Sequence, residues 1–265
     1  MSEAAVFIPS DEGRFVATEL SRGPWDPGAQ HGGAPAALLM RAFEQLPTAD
    51  GLIIARVTYE LLRPAPLGEL EVDADVVRPG RRAALSEGAI RTPDGIEIVR
   101  ARALHVRLAE ADERPTGVDA PPPGPDRGQE QPPDGEGFVP PYSPMFAPDA
   151  IEIRFVSGIF GRGPATAWFR LRVPIVAGEQ PTALQRLAAA ADFGNGISAI
   201  LPWDRHVFIN PDLTLYLERP PEGEWICLES RTLIPPGGIG VAESVLYDAR
   251  GRVGRAIQAL VVGHR

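Results

Sequence analysis

Hydrophobic and polar positions divide the chain into two stretches built the same way: strand, helix, then a run of strands. Arg14 to Leu20 alternates as a strand. A Gly/Pro turn follows around Trp25. Leu38, Leu39, Ala42, Phe43 and Leu46 then mark one face of a helix over Ala36 to Leu46, and Pro35 suits its first turn. Leu52 to Leu62, Glu69 to Val77, Arg82 to Arg91 and Glu97 to Leu108 read as strands, with Asp94-Gly95 as the hairpin turn between the last two. The second stretch opens with strands at Ile151 to Val156 and Ala165 to Val173. A helix starts near Thr182, and strands at Val207 to Leu217, Glu224 to Thr232, Gly240 to Tyr247 and Arg252 to Val262 complete the pattern.

The second helix carries the most information. Thr182 followed by Gln185 is a capping-box start. Leu184, Leu187, Ala188 and Ala191 fall on one face, and Asp192 continues the row from Leu184 and Ala188. Gly194 and Gly196 predict the stop. A carboxylate on a buried apolar face costs several kcal/mol unless partnered, roughly the penalty for burying an uncompensated polar group. Asp192 is therefore either a site residue or a cap for the following turn.

The two stretches repeat. A shift of 156 residues, without a gap, sets Thr58 on Thr214, Leu61 on Leu217, Arg63-Pro64 on Arg219-Pro220 and Pro79 on Pro235. It also sets Glu87 on Glu243, Gly95 on Gly251, Ala103-Leu104 on Ala259-Leu260 and Val106 on Val262. Turns and strand ends coincide, so the halves share a fold. Between them, from Glu110 to about Phe138, Pro, Gly, Asp and Glu replace apolar residues, which predicts a mobile, exposed linker. The expected organisation is an N-terminal unit over 1–109, a Pro/Gly-rich linker over 110–147 and a C-terminal unit over 148–265.

Composition narrows the function. The net charge of −9 and pI near 5.0 argue against nucleic acid or an anionic membrane surface as partner. All 26 basic residues are arginine. The single cysteine, Cys227, excludes an internal disulfide and fits a reducing compartment. With no apolar run of membrane-spanning length and no secretory leader pattern, the expected location is cytoplasmic. His105, His206 and His264 lack metal-ligand spacing, so neither a metal nor a cofactor is expected. No Gly-x-Ser-x-Gly elbow is present, and Gly237-Gly238-Ile239-Gly240 joins two strands as a turn rather than opening a phosphate-binding helix.

A lone helix followed by so much sheet buries its face only if the sheet wraps it. That is the pattern of the hot-dog fold, here doubled. The expectation is an α+β double hot-dog, with two tandem strand-helix-antiparallel sheet units forming one continuous sheet around two central helices. Gln30-His31-Gly32-Gly33 resembles the Phe-Gly-Gly segment of the acyl-CoA thioesterase II family. Ala191-Asp192, Asn210-Pro211-Asp212 and Ile257-Gln258-Ala259 resemble its second-half signature. The resemblance implies that Asp192, Asn210 and Gln258 hold a catalytic water, with Asn210 an amide where a hydroxyl is usual.

In that reading Asp192 acts as general base on an acyl thioester, and Asn210 and Gln258 fix the water. His31, Gly32 and Gly33 face the substrate, and the Gly33 amide polarises its carbonyl. The bland alternatives are an Asn-Pro turn for Asn210 and a structural amide tying two strands for Gln258. Two other functions stay open: a non-catalytic acyl-thioester binder, and a hot-dog dehydratase or hydratase using His31 and Asp192. The dehydratase pattern of Gly four and Pro nine residues after the histidine is absent, since Pro35 and Met40 stand there. A homodimer or higher oligomer is expected from the strand-rich repeat.

Overall fold

The computed structural model describes residues 4–11, 13–108, 120–130 and 143–265. The first half contributes β1 (Phe7–Asp11), β2 (Arg14–Ala17), α1 (Gly33–Glu44), β3 (Leu52–Leu61), β4 (Gly68–Arg78), β5 (Ala83–Arg91) and β6 (Glu97–Arg107). The second contributes β7 (Ile151–Ser157), β8 (Ala165–Leu171), α2 (Ala183–Ala191), α3 (Gly194–Ile197), β9 (His206–Ile209), β10 (Asp212–Leu217), β11 (Ile226–Leu233), β12 (Gly240–Asp248) and β13 (Gly251–His264).

The strands form one antiparallel sheet in the order β1-β2-β4-β5-β6-β3-β10-β13-β12-β11-β8-β7, with β9 paired to the far end of β13. The halves meet where β3 pairs with β10, so the double hot-dog is continuous across its centre. Its far ends are drawn together as well. Val6 and Phe7 donate to the carbonyls of Pro174 and Ile175, and Ala177 donates back to Phe7. The sheet thus encloses two helices that run antiparallel and touch closely. A Cβ on Gly33 would lie 2.4 Å from the Ala189 carbonyl oxygen, within the run of buried alanines from 188 to 191. On the sheet side Leu38, Leu39, Met40 and Phe43 of α1 are fully buried, each worth about 2 kcal/mol of apolar transfer.

Several local expectations change. β1 precedes the first expected strand, turning into β2 at Gly13, whose φ of 72° suits glycine. Helix α1 begins at Gly33, so Pro35 sits further inside the first turn, where its missing N–H is still harmless. The expected strand from Val207 to Leu217 breaks at Asn210-Pro211 into β9 and β10. Gly194 and Gly196 do not end a helix with left-handed backbone, since neither has positive φ. Gly194 opens the short α3 instead. It lies so close to the sheet that a Cβ would sit 2.6 Å from Ser244 Oγ and 3.2 Å from Gln258 Oε1.

The capping box is half formed. Thr182 Oγ1 accepts from the Gln185 amide at 3.1 Å, but the Gln185 side chain crosses to Glu44 on the other helix at 3.1 Å.

The Pro/Gly-rich segment is partly outside the described residues, at 109–119 and 131–142. Its described part is docked rather than loose. Trp168 Nε1 donates to the Pro123 carbonyl at 2.7 Å, and Gln129 exchanges two backbone hydrogen bonds with Phe155, satisfying the outer edge of β7. Met145 and Phe146 are buried. No helix among the described residues is long and apolar enough to cross a membrane.

Candidate active site

Four separate stretches meet where the C-terminal end of α2 faces the N-terminal end of α1. Asp192 caps α2 and is 4 % exposed. The break between β9 and β10 turns Asn210 inward, and its Nδ2 donates to Asp192 Oδ1 at 2.8 Å and to the Asp212 carbonyl at 3.0 Å. Gln258 points inward from β13 and donates through Nε2 to the same Oδ1 at 3.1 Å and to the Asp192 carbonyl at 3.3 Å. Its Oε1 accepts the Asn195 amide of α3 at 3.2 Å. Three residues far apart in sequence therefore share one carboxylate oxygen. The arrangement differs from the expected one in that the two amides donate to the carboxylate directly rather than to a shared water.

The other oxygen, Oδ2, faces the first half. It lies 3.2 Å from His31 Nδ1, and that nitrogen accepts the Gly33 amide at 3.1 Å. The Gly33 N–H, expected to polarise a carbonyl, is thus turned onto His31 and toward the Asp192 carboxyl. Gly32 must be glycine for contact reasons, because a Cβ there would come within 2.7 Å of Oδ2. His31, Gly32 and Gly33 consequently line the site from across the seam.

Burial pushes the Asp192 carboxyl up to about 7, against the opposing pull of hydrogen bonds from Asn210, Gly33 and Gln258. Burial likewise pushes His31 down to about 3, so the imidazole is neutral. A carboxyl near neutrality is matched to proton transfer at physiological pH.

Two groups of contributors carried no signal in the sequence. Asn195 fixes Gln258 through a backbone amide, which no side-chain pattern announces. Phe193 and Phe146 pack on the His31 ring, with centroids at 4.1 and 5.3 Å. Phe146 comes from the segment read as linker.

A two-unit sheet wrapped round antiparallel helices, with a buried carboxylate at one helix junction, defines a double hot-dog protein. Residues 21–106 match the acyl-CoA thioesterase N-terminal domain and residues 115–262 the acyl-CoA thioesterase C-terminal domain. The chain belongs to the acyl-CoA thioesterase family and is a thioester hydrolase. Among solved structures it is similar to a hot-dog protein of unknown function from Alicyclobacillus acidocaldarius, at TM-score 0.71 and 17% identity over 97% of this chain and 95% of that one. It is also similar to the acyl-CoA thioesterase II TesB2 of Mycobacterium marinum, at TM-score 0.66 and 13% identity over 98% and 96%. The tesB protein of Mycobacterium avium subs paratuberculosis gives 0.65 and 14% over 97% and 96%. No curated protein sequence matches the chain.

Proposed function

We propose that the protein hydrolyses a fatty acyl-CoA to free acid and CoA, with Asp192 activating the attacking water. The observation that carries this reading is the convergence of Asn210 Nδ2 and Gln258 Nε2 on one oxygen of a buried aspartate. Two neutral donors on Oδ1 hold the carboxylate in one orientation and leave Oδ2 as its basic face. A water bound there loses a proton to Asp192 as its oxygen adds to the thioester carbonyl carbon. Collapse of the tetrahedral intermediate breaks the C–S bond, and the electron pair leaves on sulfur. No covalent acyl-enzyme is needed, because a positioned water replaces the nucleophile. His31, Gly32 and Gly33 form the opposite wall, where the thioester would lie.

The test is thiol release over a panel of acyl-CoAs from short to long chain, with Asp192→Asn as control. Hydrolysis by the parent and a loss of about 10²- to 10⁴-fold in the variant are expected for removal of a general base. Acyl-CoA binding without turnover would assign a binding protein instead. Hydration of an enoyl-CoA without thiol release would assign a hydratase using His31 and Asp192.

A further inference from the structure

We propose that Thr232 is a positioning residue of the site: its hydroxyl holds α3 through Ser198, and α3 in turn holds the Gln258 amide in the orientation that donates to Asp192. This rests on the hydrolytic reading above and extends the machinery from the carboxylate to β11.

Thr232, Ala242 and Gln258 are cross-strand neighbours on the inner face of β11, β12 and β13. Helix α3 bridges that row. At one end Asn195 donates its backbone amide to Gln258 Oε1 at 3.2 Å, and at the other Ser198 Oγ lies 2.8 Å from Thr232 Oγ1. The direction of the second bond follows from the first acceptor in the chain. Ser198 gives its hydroxyl hydrogen to the Gly194 carbonyl at 2.7 Å, which only accepts, so Thr232 is the donor in the pair. Ser198, Thr232 and Gln258 are all buried. Buried hydroxyls destabilise a fold unless bonded, and among the described residues these two bond only to each other and to α3. A further tie, from Asn195 Nδ2 to the Phe208 carbonyl at 3.2 Å, runs to β9 on the opposite side of β13. Thr232 is the anchor on the β11 side.

That single turn of helix controls the direction of an amide. Gln258 donates through Nε2 to Asp192 Oδ1 at 3.1 Å. Rotating the amide by half a turn would set Oε1 against the carboxylate and Nε2 against the Asn195 N–H, two contacts between like groups. The Asn195 amide thus selects the donating orientation as long as α3 keeps its place over the strand.

The internal repeat supplies the control. In the first unit the same row is Val76, Ser86 and Ala103. Valine fills the place of Thr232 on a strand of the same fold, in the unit that carries Ala103 where Gln258 stands. The hydroxyl accompanies the glutamine, not the strand.

Thr232→Val removes the donor at constant shape, and the test uses the full-length protein. The variant should melt within a few degrees of the parent, keep KM within about twofold and lose about three- to tenfold in kcat, the equilibrium worth of one neutral hydrogen bond. Its pH-rate profile should move to higher pH, because Asp192 loses a donor whenever Gln258 turns, while His31, the titratable group in contact with Asp192, is unchanged. Hydrogen exchange at the Asn195 amide should quicken by a similar factor. Thr232→Ser keeps the hydroxyl and should keep the parental kcat and pH onset. Ser198→Ala breaks the same link from the other end, tests it should Thr232→Val fail to fold, and should lose no more activity when the two changes are combined. Additive losses would overturn the link. Parental kcat and pH onset in Thr232→Val, with Gln258→Leu impaired, would overturn the proposal and leave the role of Gln258 standing. Equal losses in Thr232→Val and Thr232→Ser with raised KM would also overturn it, leaving Thr232 a packing role. An active Asp192→Asn would remove the underlying reading itself.

Discussion

Thr58 lies directly opposite Thr214 where β3 meets β10, their hydroxyl oxygens 3.4 Å apart, and 156 residues separate them. The pairing across the centre of the sheet is therefore the repeat folded onto itself, and the local twofold relation between the halves runs through these two threonines. It also relates the helix junctions. At one, Asp192 ends α2 and faces the start of α1. At the other, Glu44 ends α1 and faces the start of α2, accepting from Thr182 Oγ1 at 2.9 Å and Gln185 Nε2 at 3.1 Å. Both carboxyls are pushed up by burial. Yet 156 residues before Asn210 stands Ile54, and the counterpart of Gln258 on β6 is Ala103. One junction carries two amides bonded to its carboxylate, and the other carries an aliphatic residue and a methyl group in their places.

That asymmetry predicts a pH dependence governed by Asp192. The carboxyl must be ionised to accept a proton, so hydrolysis should rise with pH through about 7 and level off above it. Stability runs the other way. A folded-state pKa raised above the unfolded value stabilises the fold fully below about 3.8, and that contribution is lost as pH rises through about 7. The difference is on the order of 4 kcal/mol by linkage. Asp192→Asn, neutral at every pH, should therefore gain thermal stability over the parent between pH 4 and pH 8. Paired melting curves at the two pH values check this, and parallel curves would contradict it.

Gly32 and Gly33 should fail differently when given a methyl group. At Gly32 the added carbon meets the Asp192 carboxylate, 2.7 Å from Oδ2, while the local backbone is already helical, with φ −59°. Gly32→Ala should displace the carboxylate and cut kcat by at least about tenfold for a modest loss of stability. At Gly33 the added carbon meets the Ala189 backbone oxygen at 2.4 Å, which no side-chain rotation relieves. Gly33→Ala should cost about 1–3 kcal/mol as an overpacked helix contact. Denaturant titration and kinetics on the two proteins separate the effects.

Much of this was legible because the repeat and the periodicities are strong. The strand-helix-strand order and the doubled sheet follow from patterns that survive in one sequence, whereas the convergence of Asp192, Asn210 and Gln258 comes from the resemblance to the thioesterase family and not from their spacing. The gapless 156-residue register does not survive throughout. Ser86 faces Ala103 and Ala242 faces Gln258, so the last strand corresponds at a shift of 155. Between the paired Arg91 and Glu97 lie residues 92–96, whereas between Tyr247 and Arg252 lie 248–251, one residue fewer. The sequence matches at Ala103-Leu104 and Ala259-Leu260 thus fall on opposite faces. Contacts made by backbone amides, such as Asn195 to Gln258, leave no residue signature. The packing of Phe146 on His31 joins a low-complexity segment to the site, and composition cannot reveal that.

Gln258→Leu should cost more than its position on one strand suggests. The Asn195 amide loses its acceptor, and Asp192 Oδ1 keeps only Asn210. Leaving a buried donor unmatched costs about 1–3 kcal/mol. With one donor fewer, the carboxyl should rise further above 7. The expected result is a lower melting temperature together with a pH-rate curve displaced to higher pH. A melting temperature equal to that of the parent would mean that Gln258 does not tie α3 to the sheet.

Asn210→Asp changes one donor into an oxygen without changing shape, and it is the sharpest probe of the cluster. Asn210 Nδ2 now gives one hydrogen to Asp192 Oδ1 at 2.8 Å and one to the Asp212 carbonyl at 3.0 Å. In the variant two carboxyls share that gap, and two like charges at hydrogen-bond distance in a buried site cannot both ionise. The pair should hold one proton across neutral pH, so Asp192 becomes a base only at more alkaline pH. The rising limb of the pH-rate profile should move up by at least about one unit, since the coupling of close carboxylates is of that size or larger. Stability should follow the same group. The variant should fold near pH 5, where the shared proton bridges the two side chains, and lose stability faster than the parent as pH approaches 9. Asn210→Thr is the complementary case, because a single hydroxyl donor can serve Asp192 or the Asp212 carbonyl but not both. It should keep the parental pH onset more nearly than the aspartate does, with a weakened junction between β9 and β10. Kinetics and melting curves on both variants across pH 5 to 9 decide the matter. An aspartate variant with the parental pH onset would show that Asn210 does not set the ionisation of Asp192.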